Sequence, residues 1–327
     1  MDEGLRENLA ALTALDYPDY ELLIVAHSAG DIPPAVLPAR ARVILAHGRD
    51  PSTGEKVQNL SIAVHAARQR SQILAFADSD GRVTKRWLRA LAAPLSEEGV
   101  GASSGYRWFM PDRATPWTLL RAVWDSVPAG ILGPGDNRFA WGGAMAIRRE
   151  TFFDAGVLRF WKKTISDDYA LSGAVHAAGL TIAYAPAALV PCREGISARA
   201  LFSWMRRQMT ITRVYNQPQW RMGLVAHLLY CAAMTASLWA ISFGRQVGWY
   251  TLAAQLIPGM IKGARRCSLA AAALPEYRAW FRRCGWVHWA LVPIATWIWL
   301  IALVSSAFGC TIEWRGYRYD LKNNAAA

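Results

Sequence analysis

The chain has 327 residues, enough for one large domain or two ordinary ones. Hydrophobic residues make up 53% of it and charged residues only 18%, a balance that excludes a disordered chain. A net charge of +12 points to anionic partners, and five scattered Cys without a C-x-x-C pair indicate neither a zinc site nor a disulfide framework.

Residues 20–26 read as a strand and residues 41–46 as a second. Residues 60–70 read as a helix, and the apolar run 71–77 as a buried strand ending at Asp78. A helix over 87–95 and a strand over 100–106 continue the rhythm. Strand and helix alternating in this way predict an α/β domain over residues 1–200, with a mostly parallel sheet covered on both faces. The acidic, polar start Met1-Asp2-Glu3-Gly4 has no signal-peptide character.

After Trp220 the texture changes. Met222 to Phe243 carries no Lys, Arg, Asp or Glu, and neither does Gly285 to Gly309. Both runs exceed the about 20 residues that cross a bilayer, so residues 222–327 are expected to hold transmembrane helices and a short tail. Val247 to Ile261 is shorter and is expected to break at Pro258-Gly259. Residues 201–221 are expected to form an amphipathic interfacial helix and linker. Arg206, Arg207, Arg213 and Arg221 precede the first run, and Lys262, Arg265, Arg266, Arg278, Arg282 and Arg283 precede the last. Positive residues gather on the cytoplasmic side, which places the α/β domain in the cytoplasm on the inner membrane of a multi-pass protein. Their position beside apolar spans, together with sixteen Trp, favours lipid headgroups over nucleic acid as the anionic partner.

Three motifs carry chemistry. Asp78-Ser79-Asp80 follows a strand directly, and two carboxylates at a strand's carboxyl end can share a hard divalent cation that neutralises a diphosphate. A solvated turn uses the same residues. Ser166-Asp167-Asp168 reads as a helix start, with Ser166 as cap and two acids in the first turn; it would also fix an acid rigidly at a site. In Trp141-Gly142-Gly143-Ala144 the paired glycines permit close backbone approach to a ligand, as they would in a plain turn.

Taken in order, these motifs resemble the family 2 glycosyltransferases, and more narrowly the ceramide glucosyltransferase-like branch. Glu3-Gly4-Leu5-Arg6-Glu7-Asn8-Leu9, with Asp16-Tyr17-Pro18-Asp19-Tyr20-Glu21, resembles the opening of that branch. Lys56-Val57-Gln58-Asn59-Leu60 resembles its K-x-x-N-L element, Ala77-Asp78-Ser79-Asp80 its metal and nucleotide-sugar motif, and Ser166-Asp167-Asp168-Tyr169 its third acidic motif. Glu313-Trp314-Arg315-Gly316-Tyr317 resembles its tail. The likeness runs from about residue 3 to residue 322. Two features depart from the pattern. The membrane helix and first strand that usually open these proteins are not in the sequence, so the start of the chain is expected to be truncated. In place of R/Q-x-x-R-W stands Arg206-Arg207-Gln208-Met209-Thr210-Ile211-Thr212-Arg213.

The resemblance implies a GT-A type (Rossmann-like) domain with a mixed sheet and an inverting transfer of a sugar, UDP-hexose being the expected donor, to the hydroxyl of a membrane lipid such as ceramide. It implies that Asp78 and Asp80 hold Mg²⁺ or Mn²⁺, with Asp168 as general base and Asp167 as its neighbour. Lys56, Asn59 and the displaced acid Asp31 are expected on the donor, with Arg207, Gln208 and Arg213 closing over its diphosphate. Trp141, Gly142 and Gly143 are expected on the acceptor side. A hopanoid or diacylglycerol acceptor, a processive polysaccharide synthase and a degenerate nucleotide-sugar-binding protein are the alternatives.

Overall fold

Short apolar runs set the strands of this chain and capped, amphipathic stretches set its helices, as follows in a computed structural model that describes residues 4–32, 37–48, 50–132, 138–314 and 316–323. Glu3 and Arg315, which belong to stretches carrying the resemblance, lie outside the described residues. In chain order the elements are α1 (Leu5–Thr13), β1 (Leu22–Ala26), β2 (Ala41–Leu45), α2 (Glu55–Ala66), β3 (Ile73–Ala77), α3 (Trp87–Ala92), β4 (Val100–Ser104), β5 (Arg107–Phe109) and α4 (Pro116–Ala129). Then come β6 (Ala144–Arg148), α5 (Arg149–Asp154), α6 (Val157–Trp161), α7 (Asp167–Ala177), β7 (Thr181–Tyr184) and β8 (Val190–Cys192). The remainder is α8 (Ala198–Tyr215), α9 (Gln217–Ser242), α10 (Gln246–Ala273), α11 (Arg278–Cys284), α12 (Val287–Ala290), α13 (Val292–Ser306), β9 (Thr311–Trp314) and β10 (Tyr317–Asp320).

The chain divides into two compact units. The first takes in the described residues up to Met110 with those of Ile131–Glu194; the second joins Pro111–Gly130 to Gly195–Lys322. A cut near residue 200 therefore misses α4, which belongs with the later helices.

The first unit is mixed α/β, consistent with the GT-A type expected. Its main sheet has the order β3-β6-β4-β7. β6 runs antiparallel to both β3 and β4, whereas β4 and β7 are parallel. β1 and β2 form a separate parallel pair. β6, which inserts between β3 and β4, makes the sheet mixed, as the GT-A resemblance implies, and corrects the mostly parallel sheet read from the strand–helix alternation. Ala144, Met145, Ala146 and Ile147 are all fully buried, so this strand shows no polar–apolar alternation. Gly101 of β4 is needed for packing: a Cβ there would lie 2.8 Å from both Leu180 Cβ and Val175 Cγ1. Phe76, Phe152 and Trp161 meet edge-on in the core, with ring centroids 5.3 Å (Phe152–Trp161) and 5.7 Å (Phe76–Trp161) apart. This aromatic cluster ties β3, which ends one residue before Asp78, to the segment that leads into α7.

The second unit is helical. α4 begins with Thr115, whose side chain accepts from the Thr118 amide, and its apolar face joins Leu201, Met205, Val287, Trp299 and Leu303 in one core. Trp124 of α4 stacks on Trp299 at 4.1 Å. Among the described residues, α9 is the one helix long and apolar enough to cross a membrane, by length and composition. It starts at Gln217, capped by Asn216, immediately after α8 ends, so no linker separates them. The crossing expected over 285–309 is not one helix. Leu291, at φ −90 and ψ 5, separates the short α12 from α13, whose 15 residues fall short of a span. Pro293, in the first turn of α13, has no amide to carry the helix back across that junction. Conversely, Pro258 does not break its run, because α10 continues through it for 28 residues.

Candidate active site

The site starts from the way α2 begins. Gly54 is its N-cap and donates its amide to the Thr164 carbonyl at 2.7 Å. A Cβ on Gly54 would lie 2.8 Å from Ile165 Cα, so only glycine lets the two backbones approach this closely. That docking sets the first turn of α2 beside the residues that open α7. Gln58 secures the approach to α2 by donating to the Asp50 and Thr53 carbonyls at 2.9 and 2.7 Å. Lys163, between Trp161 and the acids, has φ +57, a left-handed conformation uncommon outside glycine.

Lys56 reaches two acids at once. Its Nζ lies 2.6 Å from Asp78 Oδ1, at the end of β3, and 3.0 Å from Asp167 Oδ2. Asp167 is 4% exposed and therefore depends on this ammonium. Burial opposes the charge on Lys56, but Asp167, Asp78 and Asp168 outweigh it and hold the lysine charged well above its usual range. Burial pushes Asp167 up to about 7, with Asp168 and Asp78 adding to the rise and Lys56 opposing it.

Asp168 is half-buried and oriented by its neighbours. Its Oδ1 accepts from the Ser166 hydroxyl and, at 2.8 Å, from the Tyr169 amide. Its Oδ2 accepts the Gly142 amide at 3.2 Å. Ser166 is the N-cap of α7, as expected, but it gives its hydroxyl to this carboxylate and accepts no amide of the first turn. The Trp161 indole donates to the Asp167 carbonyl at 3.0 Å.

The loop Trp141-Gly142-Gly143 closes over the acids. A Cβ on Gly142 would lie 2.7 Å from Lys56 Nζ and nearer still to Asp167 Oδ2; one on Gly143 would lie 2.7 Å from Asp78 Oδ2. The paired glycines thus approach the acid cluster itself. Trp141 is buried, with its ring 5.7 Å from that of Tyr106 and beneath the Arg107 guanidinium. Two serines anchor this loop: the Trp141 amide donates to Ser104 Oγ at 2.8 Å and the Ala140 amide to Ser172 Oγ at 2.9 Å. Sequence reasoning missed both serines, although Ser172 lies one turn after Asp168 and donates to its carbonyl.

The Asp78–Asp80 turn is pinned from outside. Asn8 donates to the Ser79 carbonyl at 3.0 Å, and the Arg82 amide donates to Pro191 at 3.0 Å. Asp80 is half-buried two residues beyond Asp78. Among the described residues no group of three or more His, Cys, Asp or Glu is placed to hold a metal ion. Mg²⁺ is commonly held by one or two carboxylates, with substrate phosphates and water completing its shell. Asp78 and Asp80 fit that partial donor set.

Asn59 lies one turn along α2 from Lys56, and its buried Oδ1 has no hydrogen-bond partner among the described residues. Asp31 sits in a turn after β1, where the Ser28 amide and hydroxyl and the His27 amide hold its carboxyl below the usual range. His27, expected as a polar strand-end residue, pairs with Glu55 at 2.8 Å.

Arg207, Gln208 and Arg213 belong to α8, in the second unit. There Arg213 donates to the Ala307 carbonyl at 3.1 Å, to the Gly309 carbonyl and to Cys310 Sγ at 3.4 Å. Arg206 donates to the Phe308 carbonyl at 3.2 Å, and the Arg207 guanidinium lies 5.5 Å from the Trp314 ring centroid. Arg206 and Arg213 supply donors to the carbonyls that follow the last turn of α13. The diphosphate role expected of Arg207, Gln208 and Arg213 draws no support from these contacts.

No curated protein matches the chain. Glycosyl transferase family 21 matches residues 1–327, so the family is numbered 21 where the resemblance named family 2. The match spans both units and the whole set of motifs, and on it the chain belongs to glycosyl transferase family 21 and is a glycosyltransferase.

Proposed function

We propose that the chain transfers a hexose from a UDP-hexose donor, with inversion, to the hydroxyl of a membrane lipid such as ceramide. The observation that carries this reading is the convergence of Lys56, Asp78, Asp167 and Asp168 at the carboxyl end of β3, in a chain of this family. The half-buried Asp168 is open to an acceptor hydroxyl, whereas Asp167 is enclosed and engaged by Lys56. Asp168 therefore takes the hydroxyl proton on Oδ2, where the Gly142 amide fixes its direction. The oxygen freed of its proton bonds to the anomeric carbon as the bond from that carbon to the diphosphate breaks on the opposite face.

Lys56 and Asn59 meet the donor, and Asp78 and Asp80 hold Mg²⁺ or Mn²⁺, which when bound offsets charge on the leaving diphosphate. The lipid acceptor is supported by α9 and by the apolar side chains the second unit exposes, among them Leu229 and Trp239 on α9, Phe243 just after it and Trp249 on α10. Arginines near the start of α9 favour a cytoplasmic first unit at the inner membrane.

The test is Asp168→Asn in detergent micelles holding ceramide and UDP-hexose. Turnover should fall by a factor of about 10² to 10⁴, with donor binding little changed, since a base acts in the transition state. A parallel collapse of donor affinity would make Asp168 a ligand contact instead. Replacing ceramide by a hopanoid or diacylglycerol in the same assay ranks the acceptors.

A further inference from the structure

We infer that Lys56 is a built-in competitor of the divalent cation: it occupies Asp78 in the metal-free protein and must withdraw before a cation can coordinate that carboxylate. The inference rests on the metal role given to Asp78 above. Three observations carry it. The Lys56 ammonium lies 2.6 Å from Asp78 Oδ1, in direct contact with a metal-ligand oxygen. Asp78 Oδ2 is backed by Gly143, where even a methyl group would lie 2.7 Å away. The ammonium is flanked by Gly142, whose Cβ would lie 2.7 Å from Nζ, while the half-buried lysine side chain keeps room to move.

A cation bound to a carboxylate sits about 2.0–2.1 Å from its oxygen, at a distance where it repels an ammonium held by the same group. Lys56 and the cation therefore exclude one another at Asp78, although both favour the charged acid. Asp167, on the other side of Nζ at 3.0 Å, gives the lysine an alternative partner when it leaves. Metal affinity is then set by a residue that is not a metal ligand. The lysine released from Asp78 is a cation without its first anion, at the place where the donor diphosphate is expected. Binding of metal and binding of an anionic donor are consequently coupled through one side chain.

The experiment measures Mn²⁺ binding to the full chain in detergent, without donor or acceptor, by the loss of the free-ion signal in electron paramagnetic resonance. Lys56→Met should tighten binding at least tenfold. Lys56→Arg, which keeps the charge, should stay within about threefold of the wild type, and Asp78→Asn should remove the binding in either background. Wild-type binding that depends on Asp78 but is unchanged or weakened in Lys56→Met overturns the competition and leaves the metal site standing. Absence of Mn²⁺ binding in every variant overturns both. Where Lys56→Met does not fold, the wild type answers: acylation of Lys56, read by mass spectrometry of its peptide, should speed up at least fivefold when Mn²⁺ is added. An unchanged or slower rate refutes the competition.

Discussion

Replacing Gly142 by alanine adds one methyl group where the structure has no room for it. The new carbon would lie 2.7 Å from Lys56 Nζ and 3.0 Å from Asp167 Cγ, with Asp167 Oδ2 closer still. Asp167 is backed by the buried start of α7 and by Trp161, so the methyl has to be accommodated by parting the pair. Overpacking of a filled interior costs about 1–3 kcal/mol. Stretching the Lys56–Asp167 pair from 3.0 Å to about 4 Å adds about 1.4 kcal/mol at an effective dielectric of about 20. The sum, about 2–4 kcal/mol, should lower the thermal midpoint at pH 8 by roughly 5–10 °C, read by intrinsic Trp fluorescence in detergent. Gly195→Ala is the control, since a Cβ there meets nothing within 4 Å among the described residues. A double-mutant cycle locates the cause: in the Asp167→Ala background the obstructing carboxylate is gone, and the added cost of Gly142→Ala should drop below about 1 kcal/mol. A Gly142→Ala protein that melts with the wild type, or one whose loss is the same in both backgrounds, refutes the packing argument.

Lys163→Gly should raise stability by about 0.5–1 kcal/mol, because relief of the left-handed backbone at φ +57 outweighs the extra freedom of glycine in the unfolded chain; a lower midpoint would contradict it. Asp167 is raised from its ordinary 3.8 to about 7 by burial, with Asp168 and Asp78 adding and Lys56 opposing. Across that window the native state keeps a proton the unfolded chain has lost, so this residue's contribution falls as pH rises. Asp167→Asn should accordingly gain on the wild type between pH 5 and pH 8 in paired melts, and the opposite trend would show an acid stabilised by its charge. Arg213→Lys should speed alkylation of Cys310 by about tenfold, the equivalent of about 1.4 kcal/mol of lost anchoring, with Arg206→Lys having a smaller effect. Cys192, Cys231, Cys267 and Cys284 are buried, so intact-mass labelling reads the one half-buried thiol, and equal labelling of wild type and variant would refute the anchor.

What the sequence makes legible is local. The apolar run 73–77 stops at Asp78 because a polar pair follows it, and Ser166-Asp167-Asp168 announces a helix start because those residues suit one. The contacts that join these pieces are not local. Lys56 meets its two acids from distant points of the chain, and no short-range pattern records that α2 docks on Thr164 and Ile165. The order of the sheet is hidden for a related reason: β6 is buried on both faces, so its Ala-Met-Ala-Ile lacks the alternation that marks a strand. The break at Leu291 escapes composition altogether, since uncharged residues on both sides satisfy a hydropathy window whether or not one helix carries them.

The arginines of α8 show what helical spacing fixes and what it leaves open. Arg206 and Arg213 are seven residues apart, which puts them on one face of a helix, and Arg207 lies about 100° round from Arg206. The structure keeps that arrangement: Arg206 and Arg213 reach consecutive carbonyls, and Arg207 lies over Trp314. Spacing cannot say what stands opposite that face. A helix that ends leaves its last carbonyls without amide donors, and a guanidinium, with five N–H groups in a fixed fork, can satisfy several of them as readily as it satisfies a phosphate. An arginine pair at helical spacing therefore predicts an oxygen-rich partner of fixed geometry, and the fold decides whether that partner is a ligand or the end of another helix. For Arg213 it is the segment that follows α13, and with the Arg207 guanidinium over Trp314 of β9 this makes the stretch after α13 part of the structural frame of α8.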